Sequence, residues 1–269
     1  MAGFRSLRQR MAGPPDIDEV LPLSVLPYMR QPLTDWLHES LADDEMNGAW
    51  EYLAQMLKLD YTGSQAHRTI VDALNKDNDL LLDLIDARLE IPRALPHLDR
   101  LRTALRLAGS GWRVNGPGDG LEHVVDETVR EAAQATMQAA EESAAQHLRA
   151  AWAATHSRDR NPTLAHAEMI RAVESAAQPV LTPKDPRATL GTLIGQLGGQ
   201  AALYTTAGAS AANDGVSALV SMMQLLWQQQ TDRHGANPTI PATQERAELL
   251  MPIAAAVVNA FSTGAVRRL

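Results

Sequence analysis

In the run LLWQQQTDRHGANP, Leu225 to Pro238, an apolar stretch gives way to Asp232, Arg233, His234 and Gly235 in succession. These residue types suffice for proton transfer beside a charged oxygen. An imidazole titrates near neutral pH and can take or give a proton. A guanidinium grips phosphate oxygens with a planar fork. A carboxylate can orient the imidazole or pair with the arginine, and a glycine lets the backbone turn sharply. The same residues also suit a helix end, where cations meet the negative pole and cap the last carbonyls. Both readings stay open at this point.

A second arrangement concerns spacing. An arginine followed four to six residues later by a histidine is the signature of one family of helical ribonucleases, and such a short motif also arises by chance. Arg160 and His166 fit it, and Arg149 and His156 come close at seven residues. Arg160 precedes an expected helix start and His166 falls in its first turns. Arg149 and His156 are expected on the surface of one long helix.

Other chemistries are excluded by what is missing. The chain has no cysteine, so disulfides, thiolate metal sites and cysteine nucleophiles are ruled out, and a cytoplasmic location is expected. There is no H-E-x-x-H, EF-hand loop, P-loop or G-x-S-x-G, and no G-x-G-x-x-G behind a strand. The glycines of TLGTLIGQLGG lie inside helical periodicity and are expected to allow close packing, not to cradle phosphate. No cofactor and no metal are expected. The start, MAGFRSLRQRM, is basic but precedes no apolar run, so it does not read as a secretory signal. No window approaches a membrane span.

The elements that must position these residues are helices. Hydrophobic residues make up 45% of 269 positions but aromatics only 4%, so the core is built from Ala, Leu, Val, Ile and Met. Ala and Leu lose little freedom in a helix. Four stretches in the first part carry apolar residues at three- and four-residue spacing: YMRQPLTDWLHESL, NGAWEYLAQMLKLDY, AHRTIVDALNKDNDLLLDLIDARLE and LPHLDRLRTALRLAGS. Pro32 is expected in the first turn of a helix beginning near Pro27, or as its kink. WRVNGPGDGLEHVV, Trp112 to Val125, alternates around a Gly-rich turn and predicts a β-hairpin, the single strand pair expected.

From Asp126 one long helix is expected to run to Ser157, with acidic residues in its first turn. Asn161 as N-cap and Pro162 at the first helical position open the next. DPRATLGTLIGQLG, VSALVSMMQLLWQQQ and TQERAELLMPIAAAVVNAFSTG complete the set, with GASAANDG as a loop. Met222, Met223, Leu226 and Trp227 are expected in the core. The expected fold is therefore all-α, with a helical N-terminal domain over 1–111, a hairpin connector over 112–125 and a helical bundle over 126–269.

Charge is uneven across this division. The whole chain carries −8, which argues against indiscriminate nucleic-acid binding. Residues 1–150 hold 15 Lys and Arg against 24 Asp and Glu, a net of −9, and residues 151–269 hold 9 against 8, a net of +1. A polyanion would meet the second half more comfortably.

The second half also carries a resemblance. HLRAAWAATHSRDRNPTLAHAEMIRAVESAAQPVLTPKDPRATLGTLIGQL, then VSALVSMMQLLWQQQTDRHG and a final Ala-rich helix, resembles the C-terminal half of bacterial abortive-infection-like proteins. The shared pattern is a helix ending in Ala-Trp, then Ala172-Val173-Glu174, then Pro183 to Gly191, then Asp232 to Gly235. The opening FRSLRQRMAGPPDIDEVLPLSVLPYMRQPLTDWL is more loosely similar to the AbiJ-type N-terminal domain. The resemblance implies a HEPN-like bundle, homodimeric, with a role in anti-phage defence. HEPN proteins that are active cut RNA without metal, using an Arg and a His from each subunit at the dimer interface.

Carried over by position, the resemblance makes His234 the acid–base residue; Arg233 and Asp232 beside it are expected in the same catalytic site, and Arg160 and Arg171 are expected to bind RNA. The arginine expected five to seven residues before His234 falls at Trp227 to Gln229, where none stands. Arg233 would substitute, or Arg160 or Arg171 would reach in from another helix. Two functions follow as expectations: a metal-independent endoribonuclease, and a non-catalytic helical module that binds a phage protein or a defence-system partner.

Overall fold

Apolar spacing of three and four becomes helix almost everywhere it occurs. The computed structural model describes residues 21–42, 48–63, 65–91, 95, 97–207, 214–228 and 242–269. Among them are eleven α-helices and two short antiparallel strand pairs. The chain divides into two units between Val124 and Val125.

The first unit holds α1 (Pro27–Leu41), α2 (Ala49–Met56), α3 (Ala66–Leu74), α4 (Leu80–Glu90), α5 (Leu98–Leu107), β1 (Trp112–Val114) and β2 (Leu121–His123). Pro27 opens α1 at a position whose N–H needs no helical partner, and the helix continues through the exposed Pro32. The stretch expected to be helical from Ala66 to Glu90 is two helices, α3 and α4, separated by Asn75–Asp79. Asp77 accepts from the Asp79 N–H there at 2.8 Å, an Asx turn that competes with helix.

The strands pair as expected, with Trp112 opposite His123 and Val114 opposite Leu121. Asn115 Oδ1 accepts from the N–H groups of Gly118 and Asp119, and Gly118 takes a left-handed φ of 85°. The hairpin, expected as a connector, instead contributes Trp112, Val114 and Leu121 to the core of the first unit, beside Trp36, Leu53, Ile70 and Leu82. Trp112, Val114 and Leu121 share one face of the hairpin, and that apolar face needs a core to meet.

The second unit holds α6 (Glu127–Ala139), α7 (Glu142–His156), α8 (Pro162–Leu181), α9 (Leu190–Gly199), β3 (Tyr204–Thr206), α10 (Asp214–Gln228), α11 (Gln244–Ser262) and β4 (Val266–Arg268). Its central helix is α8, which packs on α7, α9, α10 and α11. The α7–α8 contact is the most extensive, because Ala144, Ala151, Ala165 and Ala172 are fully buried and let the backbones approach closely. Met223 and Leu226 are fully buried as expected, with Met222 and Trp227 half-buried at the core margin.

Two expectations are corrected in this unit. The long helix from Asp126 is two helices, because Ala140 and Glu141 are extended, with ψ of 154° and 151°. The break lets α6 pack mainly on α11 and α7 mainly on α8, directions that one straight helix could not serve. There is also a second strand pair, β3 with β4, in which Tyr204 lies opposite Arg268 and Thr206 opposite Val266.

Candidate functional site

Four helix ends meet at one pole of the second unit. Asn161 caps α8, accepting from the Leu164 N–H at 3.0 Å, and Pro162 occupies the first helical position. The link before it folds back on α7, where the Asn161 N–H donates to Ala154 O at 2.8 Å. α10 ends here and α11 starts here, with Thr243 capping it through a bond from the Arg246 N–H.

Side chains tie these ends together. His166, in the second turn of α8 and 8% exposed, donates from Nε2 to Leu226 O near the end of α10 at 3.0 Å. Gln244 donates from Nε2 both to Thr155 O at the end of α7 and to Glu248 Oε1, each at 2.8 Å. Glu248 also faces Arg160 at 3.5 Å. Burial pushes the His166 ring below the ordinary imidazole range; the nearby Arg246 adds to this, while the Leu226 carbonyl opposes it. The Glu245 carboxyl, in the first turn of α11, is held below its usual value by its own backbone N–H and the Thr243 hydroxyl.

Asp232, Arg233 and His234 lie outside the described residues. What the structure places is their attachment, since the helices they connect end and begin at the pole that holds Arg160 and His166. GASAANDG and the first twenty residues of the AbiJ-like run likewise lie largely or wholly outside the described residues.

The other sequence candidates separate. Arg171 sits in the middle of α8, exposed and paired with Glu168 at 2.5 Å. It is nine residues beyond Pro162, roughly 13 Å along the helix at 1.5 Å per residue, so Arg160 and Arg171 do not form one patch. Arg149 and His156 separate too. Arg149 is exposed and pairs with Glu142 at 2.7 Å, whereas His156, expected on the surface, is 4% exposed under the Trp152 ring at 4.3 Å. Trp152 lies one turn earlier on the same face and shelters it.

Gln244, Arg246 and Glu248 are not among the residues that the sequence singles out. A weak signal existed, since Gln244 and Glu248 stand four apart just after a Thr N-cap and so share a helix face. The glycines of α9 resolve unequally. A Cβ on Gly191 would lie 2.4 Å from the Trp227 ring, so close packing demands glycine there, while Gly195 and Gly199 face open space.

Among the described residues, no three His, Cys, Asp or Glu side chains are grouped to hold a metal ion. None of the described helices is long and apolar enough to cross a membrane. No protein-family profile, curated protein or solved structure matches the chain.

Proposed function

We propose that this chain acts in defence against bacteriophage, and that its second unit is a HEPN-like bundle that cleaves RNA without a metal ion. The observation that carries the reading is the shared pole: the Arg160–His166 pair stands where the two helices flanking the Asp232-Arg233-His234 stretch end and begin. In this reading His234 takes the proton from a ribose 2′-OH as that oxygen bonds to phosphorus. The bond from phosphorus to the 5′-oxygen breaks, and that oxygen takes a proton from the partner's His234 acting as general acid. Arg233 neutralises the developing phosphate charge, Asp232 orients the imidazole, and Arg160 holds the RNA backbone. The protein acts as a homodimer in the cytoplasm, two copies facing each other across this pole.

One observation favours the second reading, a non-catalytic module that binds a phage protein or a defence-system partner. Arg160 already faces Glu248, Arg171 already pairs with Glu168, and His166 spends Nε2 on a backbone carbonyl. Those groups are occupied as a scaffold would occupy them.

The test is induced expression in a bacterial host, scoring growth and total RNA, with cleavage by purified protein assayed in the presence of a chelator. His234→Ala is expected to lower cleavage by about 100- to 10,000-fold at unchanged melting temperature. Arg233→Lys is expected to impair it too, because Lys keeps the charge but loses the fork. Light scattering is expected to report twice the 29.2 kDa chain mass. Growth arrest by a parent protein that leaves RNA intact selects the binding module instead.

A further inference from the structure

Midway along the groove between α7 and α8 lies a polar cluster apart from the pole. Glu168 is only 7% exposed, and both its oxygens are engaged. Oε2 accepts from His147 Nδ1 at 2.6 Å and Oε1 accepts from Arg171 Nη1 at 2.5 Å. A buried carboxylate tolerates its environment only with such charge-assisted partners. Its bond to Nδ1 also fixes the ring, so that the other nitrogen, Nε2, is the one left for a ligand. His147 Nε2 makes no hydrogen bond among the described residues, and the side chain is 32% exposed. The Arg171 side chain is 57% exposed and uses one terminal nitrogen on Glu168, leaving the rest of its fork outward. One turn before His147 in α7 and one turn after Arg171 in α8, the Ser143 and Ser175 hydroxyls approach to 3.3 Å.

The chemistry of this surface is one-sided. The central carboxylate is buried and engaged at both oxygens, whereas guanidinium, hydroxyl and imidazole groups face outward, and the exposed Glu142 beside Ser143 is paired with Arg149. We infer that Ser143, His147, Arg171 and Ser175, backed by Glu168, form a binding site for a phosphomonoester. The guanidinium fork matches two phosphate oxygens. The imidazole matches either protonation state of the ligand, whose second pKa lies near 6. Nε2 can bond either a phosphate oxygen or the hydroxyl that a monoester can retain. A phosphodiester has no such hydroxyl, which favours a terminal phosphate, carried by a free nucleotide or an RNA end. The site stands apart from RNA cleavage, since a phosphate can bind here whether or not RNA is cut.

The experiment uses the full chain labelled with ¹⁵N-histidine and follows the His147 ring by NMR. Inorganic phosphate and AMP are expected to shift His147 Nε2 at millimolar concentration, while adenosine leaves it in place. Arg171→Gln is expected to weaken binding at least about tenfold, the loss of one charge-assisted interaction. Arg171→Lys, which keeps charge without the fork, is expected to recover only part of it. A 5′-phosphorylated oligoribonucleotide that outcompetes AMP identifies an RNA end as ligand, and the reverse order identifies a nucleotide. A His147 ring unmoved by phosphate, or affinity unchanged in a folded Arg171→Gln protein, overturns the inference and leaves the cluster as a clasp between helices.

Discussion

The two units are both helical but are held together by different means. In the first, helices of 8 to 15 residues are cross-tied by buried donors that reach backbone oxygens far along the chain. Trp36 Nε1 donates to His97 O at 3.2 Å, Trp112 Nε1 to Leu23 O at 2.9 Å, and Arg88 to Ser40 O through two nitrogens. The Trp36 bond secures His97, whose φ of 62° is uncommon for a residue with a side chain. In the second unit, α8 and α11 reach 20 and 19 residues and pack largely through alanines, with Trp152 and Trp227 at the margin of that core. Long helices packed closely leave polar side chains to their ends and grooves. The Arg160–His166 pole and the His147–Glu168–Arg171 cluster both lie in those places. Both units spend side chains on their own architecture, but in the second the His147–Glu168–Arg171 cluster also keeps polar groups outward.

The largest effect that can test this contrast is expected at Arg88, which is 1% exposed. Arg88→Ala removes a buried side chain and strips the Ser40 carbonyl of its donors, costing on the order of 3 kcal/mol or more. The two cores share no residue, so the damage is expected to stay in the first unit. Hydrogen exchange should rise in α1 and α4 and remain unchanged in α8. Equal acceleration in α8 would mean that the units do not differ as described and open together.

A smaller effect tests the second unit. Gly191→Ala places a methyl group against the Trp227 ring, and overpacking of this kind costs about 1–3 kcal/mol. Gly195→Ala, facing open space in the same helix, is expected to stabilise, because alanine is the better helix former by roughly 1 kcal/mol. The pair is compared by urea denaturation. Equal midpoints for the two variants would remove close packing as the reason for glycine at 191.

These elements also show what the sequence could reveal. Asn161 and Pro162 mark the start of α8 because capping is local chemistry, and the Gly-rich turn marks the hairpin for the same reason. The break between α6 and α7 was hidden, since MQAAEESAAQ contains no glycine or proline and its cause is the divergent packing of two helices. β3 and β4 were hidden as well. Each has three residues, and Thr206 and Val266 stand sixty residues apart, so neither strand shows a period before its partner is known. The His147–Glu168 bond spans 21 residues on antiparallel helices, and no spacing rule connects such a pair. His166 was visible as a spacing motif, but its burial and its bond to α10 were not.

His166 supplies the smallest expected effect and the sharpest one in pH. Its ring is held below the ordinary imidazole value chiefly by burial, so the native state resists protonation while the unfolded chain accepts a proton near pH 6.5. Between those two values the unfolded state binds more protons than the native state, and stability must rise with pH. The contribution is therefore complete above about pH 6.5 and is lost as pH falls toward the lower native value. His38, in the first unit, is displaced in the same direction by burial and by the facing His67, while Asp35 opposes. The two histidines must be separated by substitution. His166→Gln keeps a side-chain N–H for Leu226 O but cannot titrate, so it is expected to flatten the acid limb of the melting-temperature profile, leaving the His38 part. Exchange in α10, followed from pH 7.5 to 5.5, locates the effect. In the parent, protonation of His166 beside Arg246 should loosen the end of α10 as pH falls, and His166→Gln should abolish that dependence. If the slope and the exchange are the same in both proteins, His166 is not the titrating tie between α8 and α10, and the pole is held by Gln244 and the Arg160–Glu248 pair.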